Sequence, residues 1–196
     1  TFRRVVIDAL EALPARFDWR VLCGRTGSGK SRLLGALSNA GAQVLDLEAL
    51  ASHRGSVLGP VPGEPQPSQK RFETLLWERL RAFDPARPVF IESESRTVGR
   101  LRVPEALLER MRDARCLNIE MPLSARVALL MEDYAHHVED PAGLCERLQV
   151  LRELRGAAVV EAWQSAAREG RMRELVEQLL EQHYDPGYDK STAKHF

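Results

Sequence analysis

Eight consecutive residues, Gly24-Arg25-Thr26-Gly27-Ser28-Gly29-Lys30-Ser31, fit the pattern G-x-x-x-x-G-K-[ST] at every fixed position. Each type has a physical task. Glycines let the backbone turn so that successive N–H groups face phosphate oxygens, and a following helix adds the positive end of its dipole. Lys30 supplies a slim point charge for the terminal phosphates, and the Ser31 hydroxyl is a candidate Mg²⁺ ligand. The expected phosphate-binding set is therefore Gly24, Thr26, Gly27, Ser28, Gly29, Lys30 and Ser31. The context agrees, since the apolar run Trp19–Cys23 precedes the motif and an amphipathic stretch follows it. Such a cradle reads oxygens and not a base, so ATP and simpler diphosphates stay open as ligands.

Acids stand where they serve such a cradle. The apolar run Pro88-Val89-Phe90-Ile91 ends in Glu92, with Glu94 two residues on. Carboxylates at the tip of a buried strand are placed to hold Mg²⁺ or to orient a reacting group, and Glu92 and Glu94 are the expected catalytic acids. Asp46 ends a second strand candidate in the same way; a solvated strand end or a helix cap is the plainer alternative. His53 and Arg54 lie in a Gly/Pro/Ser-rich loop over 52–68; His53 is the third expected catalytic residue, able to titrate near neutrality, and Arg54 is expected to clamp a phosphate. Only four of the 28 basic residues are lysines, which singles out Lys30 and Lys70 as sites where a guanidinium does not serve.

The elements that must position these groups follow from periodicity. Helices are predicted over 2–13, 30–40, 68–82 and 104–113, and strands over 19–23, 43–47, 88–91 and 116–120. After Pro122 all is helical, at about 124–137, 141–154, 157–169 and 171–183, with Leu144, Leu148, Leu151 and Leu154 as core. Strands alternating with helices imply an α/β fold: a P-loop NTPase-like parallel sheet of about four strands, flanking helices, and an all-helical C-terminal subdomain. The expected organisation is an α/β core over 1–122 with a helical subdomain over 123–196 packed on it as one compact unit. Hydrophobic residues at 44% and charged residues at 29% exclude a disordered chain, a collagen-like repeat and a small disulfide-stapled peptide. Lys+Arg and Asp+Glu are both 28, a balance silent on nucleic acid. No run reaches about 18 apolar residues, so no membrane span is expected. No signal-peptide pattern appears, and three widely spaced cysteines read as free thiols of a cytoplasmic protein. The sequence opens without Met on Phe2-Arg3-Arg4, which suits a fragment as well as a trimmed chain.

Several further pieces resemble one family. They are Val44-Leu45-Asp46-Leu47-Glu48, His53-Arg54-Gly55-Ser56, Pro67-Ser68-Gln69-Lys70, Phe83-Asp84-Pro85, Phe90-Ile91-Glu92-Ser93-Glu94-Ser95, Asp133-Tyr134 and His183-Tyr184-Asp185-Pro186. Together with Gly24–Ser31, and in this order, they resemble the P-loop part of tRNA 2-selenouridine synthase over nearly the whole chain. The resemblance implies a transferase acting on wobble 2-thiouridine of tRNA. It would replace sulfur by selenium from selenophosphate, geranylate that sulfur from geranyl diphosphate, or do both. It also implies a rhodanese-like domain carrying an essential cysteine, in the same or a separate chain. Residues 2–13 look like the joint after that domain, no cysteine here matches the essential one, and selenation by this chain alone is expected to be incomplete.

Substrate or tRNA contacts are then expected at Ser56, Gln69 and Lys70, at Arg96, Arg100 and Arg102, and at His183 and Tyr184. Arg96–Arg115 carries six arginines against three acids, suited to phosphates of tRNA or to a solvated helix face with ion pairs. Ser68 reads as a helix cap. Arg126 holds the place where nucleotide kinases carry lid arginines, by analogy. The adjacent His136 and His137 do not share a helix face and make a poor metal pair. Two rivals remain: a P-loop small-molecule or nucleotide kinase, and a nucleotide-dependent tRNA-binding module without chemistry.

Overall fold

A computed structural model describes residues 1–55, 59, 63–135 and 139–189. Ser56, His136 and His137 lie outside the described residues. The chain forms two compact units: residues 1–23 with 30–118, and residues 24–29 with 119–196. The glycine-rich loop groups with the second unit although the flanking residues belong to the first.

The first unit is built on a parallel sheet of order β2-β3-β1-β6. Its strands are β1 (Trp19–Cys23), β2 (Gln43–Leu45), β3 (Val89–Glu92) and β6 (Arg115–Asn118). Val21 pairs with Ile91 on one side and with Cys116 on the other. Apart from Arg20 and the terminal Glu92, the two central strands are apolar, as strands covered on both faces are. Trp19, Val21, Cys23, Val89 and Ile91 enter the main core, whereas Leu22, also buried, lies outside that cluster on the opposite face. Helix α1 (Phe2–Ala12) brings Val6 and Leu10 to the core, and α4 (Gln69–Ala82) brings Phe72, Leu76 and Leu80, the i, i+4, i+8 stripe of one helix face. Ser68 caps α4 by accepting from the Arg71 N–H at 3.2 Å. The remaining helices of this unit are α2 (Lys30–Asn39), α3 (Leu47–Ala51) and α5 (Glu105–Arg112).

Three expectations change. The second strand stops at Leu45, because Asp46 accepts from the Ala49 N–H at 2.8 Å and starts α3. A small antiparallel hairpin, β4 (Thr97–Val98) with β5 (Leu101–Arg102), occupies what read only as an arginine-rich segment. Its signal was Val98-Gly99-Arg100-Leu101, two apolar residues around a two-residue turn, and both apolar residues are buried. Cys23 and Cys116 form a disulfide, whereas Cys145 is free and buried. Cysteines 93 positions apart give no hint in sequence that β1 and β6 are neighbours.

The second unit is helical: α6 (Leu123–Asp133), α7 (Pro141–Gln149), α8 (Arg152–Arg155), α9 (Ala157–Arg168), α10 (Met172–Leu179) and a π-turn over Leu180–Tyr184. The α7 and α9 helices share a buried amide, Gln164, which donates to the Cys145 carbonyl at 2.8 Å. Val127 and Leu130 of α6 pack with Leu180, against which Val176 and Tyr184 also lie. Leu154 is exposed and not core: the helix breaks after Gln149, and the new phase buries Leu151 while turning Val150 and Leu154 outward. Among the described residues no helix is long and apolar enough to cross a membrane.

Phe72 is fully buried between α4 and the sheet cluster. Phe72→Ala is expected to destabilise the fold by about 3–5 kcal/mol, read as a lowered urea midpoint with unchanged slope; a loss under about 1 kcal/mol contradicts this packing.

Candidate functional site

Three carboxylates converge in the first unit. Glu92 ends β3 in the middle of the sheet and is 2% exposed. Glu94 follows two residues later, where the chain has left the strand. Glu48 comes from the first turn of α3, held there by the Asp46 cap and by Leu47 buried beside it. Carboxylate oxygens of Glu48, Glu92 and Glu94 lie within 4.8 Å of one another. The Ser31 hydroxyl is 3.1 Å from Glu92 Oε2 and 3.4 Å from Glu48 Oε2.

A loop closes over this cluster. Ser52 takes a left-handed conformation and the His53 N–H returns to the Glu48 carbonyl at 3.1 Å. His53 is 7% exposed, and its Nδ1 accepts from the Gly55 N–H at 3.1 Å. That contact places the ring proton on Nε2, and burial lowers the His53 pKa from 6.5. Burial thus favours the neutral imidazole, and the ring holds the turn that sets Gly55 beside the acids. Gly55 has φ +66°, and a Cβ there would stand 2.8 Å from Glu48 Oε1 and 3.3 Å from Glu94 Oε2.

The electrostatics follow from crowding. Burial first, then Glu92, Glu94 and Asp46, push Glu48 up to about 9. Burial and then Asp46 push Glu92 up to about 7, opposed by Lys30 and the Ser31 hydrogen bond. Burial and then Glu92 push Glu94 up to about 8, again opposed by Lys30. Glu92 Oε1 is buried with no hydrogen-bond partner. An all-oxygen donor set, excess negative charge and an orphaned carboxylate oxygen fit a hard divalent cation such as Mg²⁺.

The other expected residues are distributed as follows. Gln69 spends its amide on the backbone of Arg102, accepting from its N–H at 2.8 Å and donating to its carbonyl at 2.9 Å. Arg100 donates to the Gln66 carbonyl at 2.8 Å; Arg54, Lys70, Arg96 and Arg102 are exposed. Gly24–Gly29, His183 and Tyr184 belong to the second unit. There Arg155 donates to His183 Nδ1 at 3.1 Å and to its carbonyl at 2.9 Å, and burial followed by Arg155 lowers the His183 pKa. Arg126 is 3% exposed, unlike a lid arginine that swings onto substrate. Glu48 was missed as a site residue because 43–47 read as one strand. The available signal was Asp46 as a cap, which puts Glu48 on a helix.

Residues 17–144 match the family described as the tRNA 2-selenouridine synthase AAA domain. This chain belongs to that family. A tRNA 2-selenouridine synthase of Marinobacter nauticus is 37% identical over 216 aligned positions, covering 95% of this chain and 57% of that protein. Its namesake in Alcanivorax borkumensis is 33% identical, covering 98% of this chain and 59% of its own length. A third, from Hydrogenovibrio crunogenus, is 39% identical over 70% of this chain and 39% of its own length. The chain thus spans under two thirds of these relatives. No solved structure matches it. The four-stranded parallel sheet with its helices is the α/β arrangement of a P-loop NTPase-like domain.

Two outcomes are expected. The folded chain binds protons at Glu48, Glu92 and Glu94 more tightly than the unfolded chain, where such groups titrate near 4.5, so stability falls as pH rises through about 7, 8 and 9. Without divalent cations the thermal midpoint should drop by about 5 °C or more from about pH 6 to pH 9, and millimolar Mg²⁺ should restore it most at the alkaline end. A midpoint indifferent to both removes the charge crowding. Gly55→Ala should weaken Mg²⁺ binding about tenfold by calorimetry, through a Cβ forced on the carboxylates; unchanged affinity would show that the loop does not set their spacing.

Proposed function

We propose that the chain is the donor-binding domain of a tRNA-modifying transferase acting on wobble 2-thiouridine. In this reading the Gly24–Ser31 segment grips the phosphate or diphosphate group of selenophosphate or geranyl diphosphate. The observation that carries it is the junction of two features in one family member. The phosphate motif ends in Lys30-Ser31, and Ser31 is hydrogen-bonded to Glu92 in a cluster of three carboxylates.

In geranyl transfer the thiouridine sulfur forms a bond to C1 of the geranyl group while that carbon's bond to oxygen breaks; diphosphate leaves with the electron pair, and the base gives up its N3 proton to water. Charge builds on the leaving oxygens, so stabilisation belongs there. Backbone N–H groups of the loop and the Lys30 ammonium would face it. Glu48, Glu92, Glu94 and Ser31 would hold Mg²⁺, whose chemistry is neutralisation of phosphate charge. His53, neutral and hydrogen-bonded through Nδ1, orients the loop around Gly55 and takes no proton in this scheme. Selenation from selenophosphate would use the same phosphate grip, with the sulfur-handling cysteine supplied by a rhodanese-like domain. The exposed Arg96, Arg100 and Arg102 are the proposed contacts for tRNA phosphates, and ATP is not required.

The test is incubation with 2-thiouridine tRNA and geranyl diphosphate, with nucleosides read by mass spectrometry. Geranylated thiouridine is expected, and Lys30→Ala should cut its rate by about 100-fold. Phosphorylation of a small acceptor from ATP would make the domain a kinase; tRNA binding with no product under either donor would make it a binding module.

A further inference from the structure

One charged side chain in the second unit is left outside this account. Arg126 is a buried arginine on the first turn of α6, and all three of its guanidinium nitrogens are engaged. Nε donates to the Thr26 carbonyl at 2.8 Å; Nη1 and Nη2 donate to Asp185 Oδ2 at 3.0 Å and Oδ1 at 2.6 Å. Asp185 is the acid of the His183-Tyr184-Asp185-Pro186 piece. Nearer the surface, Arg25 pairs with both oxygens of Asp189 at 2.9 and 3.0 Å and reaches Asp185 at 3.5 Å.

The geometry points to Arg126 and Asp185 as positioning residues for the phosphate loop. They would make the C-terminal turn part of the donor-binding machinery. Among the described residues no peptide bond is cis, so the Thr26 C=O and the Gly27 N–H lie in one plane and point in opposite directions. Fixing the carbonyl on Arg126 therefore aims the Gly27 N–H away from α6, as a donor to an anion. The same helix sets the seat of the loop. Gly27 has φ +79°, and a Cβ there would meet Leu130 Cδ1 and Cγ at 3.0 Å and the Arg126 carbonyl at 3.2 Å. The loop thus rests directly on α6, and Arg126 fixes its orientation at the point of contact. With its guanidinium committed to Thr26 and Asp185, Arg126 orients the cradle and does not itself bind phosphate. Asp185 holds the fork in the one pose that reaches the carbonyl, and a lysine has no planar fork to span both partners.

This inference rests on the proposed phosphate grip, and the experiment separates the two. Inorganic pyrophosphate is titrated calorimetrically into the parent chain, Arg126→Lys, Asp185→Asn, the double variant and Asp189→Asn, beside a Mg²⁺ titration and a thermal midpoint for each. Arg126→Lys and Asp185→Asn should each weaken pyrophosphate about tenfold, and the double variant should be no weaker than the worse single one, since both act through one joint. Asp189→Asn, at an exposed pair, should stay within about twofold. Mg²⁺ affinity should not change, which a general loss of structure would not allow. If Arg126→Lys does not fold, Asp185→Asn, whose amide oxygen still accepts from the guanidinium, carries the same comparison with Asp189→Asn. Variants that bind pyrophosphate as the parent does, or effects that add in the double variant, overturn the positioning role. A parent chain that does not bind pyrophosphate overturns the phosphate grip, and this inference with it.

Discussion

Negative charge confined to a small, water-poor volume is the constraint that organises the first unit. The carboxylate oxygens lie within 4.8 Å of one another, and two unit charges at that outer limit repel by about 3–4 kcal/mol at an effective dielectric of about 20. Three such acids cannot all be ionised at neutral pH without compensation. Folding brings them together regardless, because each is fixed by something it does not control. Glu92 follows an apolar run that has to lie in the sheet centre, and Glu48 follows a helix cap and a buried leucine. Glu94 is tethered two residues from Glu92. The strain is local and chemical, so its relief is also chemical: protons at low pH, or a cation and the Lys30 ammonium at neutral pH. A site that is uncomfortable alone is prepared for a charged complex.

The second unit solves the opposite problem. On the proposed phosphate grip, the loop needs its peptide planes aimed, and a glycine-rich segment has little intrinsic preference for any one orientation. The cost of burying Arg126 and Asp185 is desolvation, which an apolar pair of similar volume would avoid. What an apolar pair lacks is direction. A guanidinium that bonds a carbonyl on one edge and a carboxylate on the other specifies where a single peptide unit faces. The ion pair is thus better explained by orientation than by net stability.

Much of this was legible from the residues. The four parallel strands, the helix starting at Lys30, the Ser68 cap and the Glu92 strand end were all marked by local patterns. The failures share one cause. Asp46 was read as the end of a strand because an acid after Val44-Leu45 looks the same before a turn or a helix; only the Ala49 N–H it accepts from decides. That misreading hid Glu48. The Cys23–Cys116 pairing depends on strand order, and the Arg126–Asp185 contact joins residues 59 apart. Neither leaves a periodic trace. His53 reads as a proton carrier by type, while its burial and its bond from Gly55 leave no mark in the sequence.

The division between lysine and arginine ties these threads. In a chain with only four lysines among 28 basic residues, Lys30 is the counter-charge that lowers all three raised carboxylates. A compact ammonium can move between carboxylate oxygens and phosphate oxygens as charge shifts, because it imposes no plane on its partners. Arg126 has the reverse requirement. Its partners are a carbonyl and a carboxylate whose relative directions must stay fixed, and a planar fork enforces them. On the proposed function, exchanging the two types would fail at both places for different reasons: a guanidinium at position 30 would impose a plane on partners that an ammonium leaves free, and an ammonium at position 126 would lose the fork that spans Thr26 and Asp185.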